Sequence, residues 1–231
     1  MQQAPKKRAS RTKTKFDIDK HSLEIVPKND KQSEYIDALK SSSQVIVFGP
    51  SGTGKTYVVS SIAASLYHTK DINKIVITRP HVSVGKDLGY LKGDLEDKTK
   101  PWAMPVLDVL EEHLGKGVVE TGIKNNNIEM APLALMRGRS FNNAFVICDE
   151  AQNITFHELK MLLTRVGQNC KLVLNGDIMQ SDLKEADGLS KVVHLVKKHM
   201  LPVPIVEFGV EDIIRSDETK MWVEVFVKEG I

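Results

Sequence analysis

The sequence is poor in cysteine and contains no long apolar segment. Only Cys148 and Cys170 occur among 231 residues, and their spacing fits neither a metal site nor a disulfide framework. Both are therefore predicted to be reduced core residues. No apolar run approaches the roughly 18 residues that cross a bilayer, and no apolar segment follows the basic N-terminus. The sequence thus predicts neither a membrane helix nor a secretory signal, and we expect a cytoplasmic protein without membrane contact.

Acidic residues are absent from the first fifteen positions. This stretch carries six basic residues, so the rest of the chain has a net charge of about −4 once these are subtracted from the total of +2. Such a polar, charged composition cannot bury enough apolar surface to fold. We predict a disordered tail over residues 1–22, which either contacts nucleic-acid phosphates or only keeps the protein soluble.

From about residue 44, short apolar runs alternate with amphipathic stretches, in a chain of 41% hydrophobic and 27% charged residues, and we assign residues 23–231 to the folded part. The pattern predicts a single α/β domain with a mainly parallel sheet flanked by helices. Strands are predicted within QVIVFGP (44–50), KIVITRP (74–80), FVIC (145–148), KLVLNG (171–176) and IVEF (205–208).

Helices are predicted between these strands, some with recognisable ends. One follows the first strand, one covers about 101–114 with Pro105 in its first turn, and one covers about 188–200. A capping box of Thr155 and Glu158 begins another helix, which includes Val166 and which Gly167 closes. Residues 121–127 are predicted to be a polar loop. The segment from Val210 onward fits a helix or a strand, and we favour the helix.

The most specific motif is GPSGTGKT, which satisfies the pattern of a phosphate-binding loop and lies between a predicted strand and a predicted helix. The predicted nucleotide-binding residues are Gly49, Pro50, Ser51, Gly52, Thr53, Gly54, Lys55 and Thr56. The glycines let backbone amides approach phosphate oxygens, Lys55 reaches the β and γ phosphates, and Thr56 offers a hydroxyl to Mg²⁺. The alternative, a glycine-rich turn without a ligand, does not explain the lysine and threonine that follow.

Two adjacent acids follow the apolar run FVIC. Their charges would repel each other at the end of a buried strand. Near a phosphate-binding loop, Asp149 can hold Mg²⁺ while Glu150 activates the water that attacks the γ phosphate. The alternative is an acidic helix cap or a solvated loop. Because 94 residues separate Lys55 from Asp149 (149 minus 55), at least one further strand must intervene, and KIVITRP is the candidate.

Further polar residues follow predicted strands. Asp177 and Gln180 come after KLVLNG, so a parallel sheet would bring them to the nucleotide edge, where Gln180 can contact the γ phosphate or the attacking water. The alternative is a turn built from Asn175, Gly176 and Asp177. Five arginines are candidates for phosphate or nucleic-acid contacts, with surface ion pairs as the alternative for each. They are Arg79, Arg137, Arg139, Arg165 and Arg215.

These motifs together resemble the PhoH-like ATPases. The resemblance covers residues 29–216 and is carried by NDKQSEYIDAL, GPSGTGKT, TRPHVSVGKDLGYLKGDLEDKTKPW, MRGRSF, DEAQN, NGDIMQ and EDIIRS in this order. It implies a RecA-like fold similar to the first motor domain of superfamily-one helicases, ATP and Mg²⁺ as cofactors, and a homo-oligomeric ring such as a hexamer. The PIN ribonuclease domain of some relatives and a second motor domain are not expected.

The resemblance also implies roles for single residues. Gln32 resembles the glutamine that recognises adenine, Gln180 resembles the helicase residue that senses the γ phosphate, and Arg215 resembles an arginine that reaches a neighbouring subunit's nucleotide. Lys55 and Glu150 are then expected to act in catalysis together with Gln180 and Arg215.

Three functions remain open from the sequence. The first is Mg²⁺-dependent ATP hydrolysis coupled to single-stranded RNA or DNA, and it includes a helicase-like activity as one form of that coupling. The second is a nucleotide-gated switch or scaffold whose hydrolysis is independent of nucleic acid. A kinase that transfers the terminal phosphate to a small acceptor is the third.

Overall fold

The computed structural model describes residues 25–80, 95–177 and 188–229, which contain six strands and seven helices. The strands are β1 (Gln44–Phe48), β2 (Lys74–Thr78), β3 (Ile128–Met130), β4 (Ala144–Cys148), β5 (Cys170–Gly176) and β6 (Ile205–Glu207). The helices are α1 (Asp30–Ser41), α2 (Lys55–His68), α3 (Leu95–Leu114), α4 (Lys116–Lys124), α5 (Phe156–Leu163), α6 (Gly188–Lys198) and α7 (Asp217–Glu229). The predicted tail lies outside the described residues, as does the glycine-containing stretch after β2, HVSVGKDLGYLKGDL (81–95), apart from its last residue.

The strands form one sheet in the order β3-β2-β4-β5-β1-β6, and every pair is parallel. The predicted α/β class with a parallel sheet is therefore confirmed. β2 intervenes along the chain between the phosphate-binding loop and the acidic pair, as predicted. Within the sheet, however, β5 is the strand that separates β1 from β4, so the ends of three strands meet at one edge.

The sheet is buried on both faces, which explains why its strands read as continuous apolar runs. All residues of β4 and β5 are buried. Val47, Phe145 and their neighbours face α1, α2 and α3 on one side. Phe48 and Val146 belong to the core on the other side, which α5 and α6 cover. Cys148 and Cys170 are buried and unbridged, as predicted. None of the helices within the described ranges is long and apolar enough to cross a bilayer.

The third helix is longer than predicted. It begins at Leu95, so both Pro101 and Pro105 lie inside it and Pro105 is not in its first turn. Each interior proline removes a backbone hydrogen bond, at a cost of roughly 3 kcal/mol. The helix buries Val106 and Leu110 among the residues that pack on the sheet, and this burial offsets the cost.

The predicted polar loop at 121–127 is wrong for its first half. α4 continues to Lys124, and the chain then turns through Asn126, whose positive φ of 57° suits an asparagine, into the three-residue strand β3. Gly122 packs against Ile128, since a Cβ on the glycine would lie 2.8 Å from Ile128 Cδ1. The polar residues of the turn concealed both short elements from the sequence pattern.

The capping box of Thr155 and Glu158 is present. The helix ends earlier than predicted, at Leu163, because Val166 leaves the helical path and forms a bridge with Phe141. Gly167 does not close the helix, since its amide donates to the Phe141 carbonyl. At the C-terminal end, the preferred helix is confirmed as α7.

Candidate nucleotide site

The phosphate-binding loop connects β1 to α2 and depends on glycines with positive φ. Gly49, Gly52 and Gly54 have φ angles of 144°, 86° and 84°. A Cβ at Gly49 would overlap the backbone carbonyl of Phe208, and a Cβ at Gly54 would lie 2.6 Å from Gln32 Nε2. The loop therefore needs glycine both for its backbone angles and for the close approach of neighbouring segments.

Lys55 folds into the concavity of this loop. Its Nζ donates to the carbonyl oxygens of Gly49 at 2.7 Å and Pro50 at 2.8 Å, and it lies 3.3 Å from Thr53 Oγ1. Burial lowers the pKa of the lysine from its ordinary value, while nearby carboxylates, of which Asp177 contributes most, oppose that shift. The loop thus holds a positive charge at the point where its backbone curves.

Polar side chains from the first turn of α2, from the residue after β4 and from the end of β5 meet at one edge of the sheet. Thr56 Oγ1 lies 3.5 Å from Asp149 Oδ1. Asn175 Nδ2 donates to Asp149 Oδ1 at 2.7 Å and to Thr56 Oγ1 at 2.9 Å. Asn175 therefore fixes both groups that were predicted to hold Mg²⁺. Sequence reasoning assigned Asn175 only to a turn, and the polar side chain at the end of an otherwise apolar strand was the signal that it missed.

Asp149 is almost completely buried. Burial raises its pKa to about 6, and the charge of Glu150 adds to this, whereas Arg79 and Lys55 act in the opposite direction. A carboxylate that is costly to ionise in the folded protein is one that gains most from a bound cation. Thr56 and Asp149 provide hydroxyl and carboxylate oxygens, the hard ligands that Mg²⁺ prefers.

Glu150 adopts a left-handed backbone conformation, with φ 52° and ψ 40°, which is uncommon for a residue other than glycine. Its Oε1 lies 3.4 Å from Arg79 Nη2, and its Oε2 accepts a hydrogen bond of 2.7 Å from Gln152 Nε2. Gln152 Oε1 in turn accepts from the backbone amide of Asp177 at 2.9 Å. The second acid is therefore held by Arg79 from the end of β2 and by Gln152 from its own segment, and Gln152 is a further site residue that sequence reasoning missed.

A cavity of about 590 Å³ contains these groups. Its lining combines the loop, the acidic pair, and residues from both ends of the described chain, including Gln32 and Arg215. Gln32 is buried, and its amide donates to the Thr53 carbonyl at 2.9 Å and accepts from the Lys28 amide at 2.9 Å. The predicted adenine-recognising residue therefore borders the cavity and supports the loop.

Arg215 lies against the loop of its own chain. A Cβ on Gly52 would be 2.8 Å from Arg215 Cγ, and the amide of Ile214 donates to the Gly52 carbonyl at 3.1 Å. The expectation for this arginine concerned a neighbouring subunit's nucleotide. The structure places it at the cavity of the same chain.

The remaining arginines are dispersed. Arg79 borders the cavity, where its Nη2 faces Glu150 Oε1. Arg139 binds Glu129 of β3 through two hydrogen bonds of 2.6 and 2.8 Å, an ion pair between β3 and the loop that precedes β4. Arg137 is exposed, and Arg165 is partly buried. Gln180 lies outside the described residues, and its role remains a prediction.

A parallel sheet with this strand order, a phosphate-binding loop after β1 and an acidic pair after β4 defines an α/β protein of the RecA-like P-loop type. The family model described as PhoH-like protein matches residues 24–227. The chain belongs to this family.

Curated relatives support the assignment. "Protein PhoH" of Escherichia coli (strain K12) is 40% identical over 196 residues, which cover 83% of this chain and 55% of that protein. A "PhoH-like protein" of Bacillus subtilis (strain 168) is 39% identical over 205 residues, which cover 86% of this chain and 63% of the relative. The chain thus spans somewhat more than half the length of these relatives.

Among solved structures, the large terminase of bacteriophage HK97 aligns with a TM-score of 0.51 at 10% identity, over 94% of this chain and 50% of the other. The Pif1 helicase from Candida albicans aligns with a TM-score of 0.46 at 16% identity, over 89% of this chain and 44% of the other. The terminase likeness agrees with the fold.

Proposed function

We propose that this chain binds ATP with Mg²⁺ at the P-loop cavity and hydrolyses it, and that hydrolysis is coupled to single-stranded RNA or DNA. The observation that carries the first part is the convergence of Lys55, Thr56, Asp149 and Glu150 in one cavity. They come from the ends of two strands that are not adjacent in the sheet. A purely structural role would not require two acids and a buried lysine to meet there.

The loop binds the phosphates. Its amides and the N-terminus of α2 provide partial positive charge, and the Lys55 ammonium adds a full charge where its Nζ now contacts the Gly49 and Pro50 carbonyls. Thr56 and Asp149 would hold Mg²⁺, which supplies charge neutralisation to the phosphates. Asn175 keeps the hydroxyl and the carboxylate at a fixed separation through its two donated hydrogen bonds.

Glu150 is the proposed general base. Its carboxylate borders the cavity beyond Asp149, where it can accept a proton from the water that attacks the terminal phosphate. Gln180 and Arg215 are proposed to contact the transferring phosphate, Arg215 from its place beside Gly52. Gln32 is proposed to favour ATP over GTP, which competition between the two nucleotides would test.

Nucleic-acid coupling is the less direct part of the proposal. Arg137 is exposed and Arg165 is partly exposed, so both can contact phosphates, whereas Arg139 is occupied by Glu129. Such contacts make binding strongly dependent on salt. We further propose that the protein acts as a homo-oligomeric ring. Native mass spectrometry with and without ATP tests this, and a single hexameric species is the expected result.

The coupling is tested by steady-state phosphate release with and without single-stranded RNA or DNA. Wild type should hydrolyse ATP faster when a strand is added. Arg137→Ala should weaken this stimulation and leave the unstimulated rate unchanged. An exposed lysine elsewhere, in Lys40→Ala, serves as the matched control. Hydrolysis that no strand changes would refute the coupling and leave ATP hydrolysis standing.

A second candidate function, a nucleotide-gated switch, is favoured by one observation. The segment that contacts the loop through Ile214 and Arg215 continues directly into α7, which has no buried residue and exposes Trp222 and Phe226. A nucleotide that displaces this segment would also displace α7. A change in oligomeric state or in Trp222 fluorescence on ATP binding, with hydrolysis indifferent to strands, would favour the switch.

A further inference from the structure

The carboxylate of Glu150 is fixed from two sides. Arg79 Nη2 lies 3.4 Å from its Oε1, and Gln152 Nε2 donates to its Oε2 at 2.7 Å. The arginine contact is long and its two side chains are 31% and 35% exposed, whereas the glutamine bond is short and its donor comes from a side chain that is 1% exposed. Gln152 is therefore the partner that defines where Glu150 points.

The other end of the Gln152 amide is bound as well. Its Oε1 accepts from the Asp177 backbone amide at 2.9 Å, so one buried side chain connects the segment after β4 to the end of β5. The glycine at position 176 allows Gln152 to come this close to β5. A Cβ there would lie 2.9 Å from Gln152 Oε1 and 3.1 Å from the Gln152 backbone nitrogen.

These two bonds also settle the orientation of the amide. The Asp177 N–H can only donate, so the oxygen of Gln152 must face it, and the NH₂ group must face the carboxylate. A glutamate at this position would keep the acceptor for Asp177 but would place a negative charge against Glu150. A methionine would fill nearly the same volume and make neither bond.

We propose that Gln152 is a positioning residue for hydrolysis, which holds the Glu150 carboxylate at a fixed place relative to the end of β5. The inference rests on the proposed function, since it assigns Glu150 the role of general base. Because the backbone of Glu150 is left-handed, no helix or strand determines the direction of its side chain. The hydrogen bond from Gln152 fixes that direction, although Gln152 itself does not border the nucleotide cavity.

The test compares Gln152→Met and Gln152→Glu with wild type by kcat for ATP and by the Kd of a non-hydrolysable ATP analogue with Mg²⁺. A correctly placed general base contributes about 10²–10⁴-fold to the rate of the chemical step. A Glu150 carboxylate that is no longer held in place should therefore lower kcat by roughly 10–100-fold. We expect Gln152→Glu to be at least as slow as Gln152→Met. The Kd should change by less than about threefold in both variants. Gln168→Glu adds the same charge at an exposed position outside the cavity lining and is the control.

Each other result overturns the inference. If Gln152 acts only by holding the end of β5, then Gln152→Glu, which retains the acceptor for Asp177, should have the kcat of wild type, whereas Gln152→Met should not. If both variants keep wild-type kcat, Gln152 does not position the base. If the Kd rises as much as kcat falls, the residue acts on binding. These failures differ from failure of the proposed function, in which wild type itself would not hydrolyse ATP, or Glu150→Gln would hydrolyse it equally well.

Discussion

Replacing Asp149 with asparagine should stabilise the protein in the absence of Mg²⁺ while abolishing hydrolysis. The pKa of Asp149 is raised from 3.8 to about 6. A shift of this size, at 1.36 kcal/mol per unit, corresponds to a penalty of about 3 kcal/mol in the free energy of unfolding at pH 7. Asparagine removes the charge and retains an oxygen that can accept the hydrogen bond from Asn175.

The sign of the effect follows from proton binding. Between pH 4 and pH 6, the folded protein binds a proton at Asp149 more tightly than the unfolded chain does. The stability contributed by the protonated group is therefore complete below pH 4 and is lost as the pH rises through 6. The advantage of Asp149→Asn over wild type should be about 2–3 kcal/mol at pH 7 and should approach zero near pH 4.

Urea unfolding in EDTA at pH 4, 5, 6 and 7 measures this advantage directly. Asp37→Asn, which makes the same charge change at an exposed position of α1, is the control and should differ little from wild type at every pH. With excess Mg²⁺ and an ATP analogue, wild type should regain stability and Asp149→Asn should not. An Asp149→Asn variant less stable than wild type at pH 7, or an advantage independent of pH, would refute the reasoning.

Three further predictions concern the loop and the core. Gly49→Ala should lower the free energy of unfolding by roughly 2–4 kcal/mol, because its φ of 144° disfavours a side chain and the methyl group would overlap Phe208; thermal unfolding measures this. Lys55→Ala should weaken binding of an ATP analogue by about 10–100-fold in isothermal titration calorimetry, because charged hydrogen bonds contribute roughly 1.5–3 kcal/mol, and unchanged binding would contradict its role. Burial lowers the pKa of Lys171 to about 8. The unfolded chain keeps this proton up to a higher pH than the folded protein does, so wild type should gain roughly 2–3 kcal/mol relative to Lys171→Met in urea unfolding as the pH rises from 8 to 10.5.

The sequence predicts the strands in which consecutive residues are buried on both faces of the sheet. β1, β2, β4 and β5 are apolar runs because helices cover both faces of the sheet. The three residues of β3 carry too little pattern to be distinguished from a loop. α3 extends through two prolines because packing on the sheet outweighs a local preference that sequence reasoning treated as decisive.

The candidate site also has a part that the sequence predicts and a part that it does not. The meeting of the loop with Asp149 and Glu150 follows from parallel topology, in which carboxyl ends of strands share one edge. The contacts of Asn175 and Gln152 do not follow, since each depends on distances between segments that only the folded chain defines. The resemblance implied that Arg215 reaches a neighbouring subunit's nucleotide. Its contact with Gly52 of its own chain depends on the path of the segment before α7, which the sequence pattern does not specify.

The measurement that tests the central claim most directly is phosphate release from ATP with Mg²⁺ by wild type and by Glu150→Gln, made beside the binding of ATP to both proteins. The account predicts that wild type hydrolyses ATP, and that the variant binds it with similar affinity while its kcat falls by at least about 100-fold. Equal hydrolysis by the two proteins would contradict the assignment of Glu150 as the base. Absence of hydrolysis by wild type would contradict the proposed function.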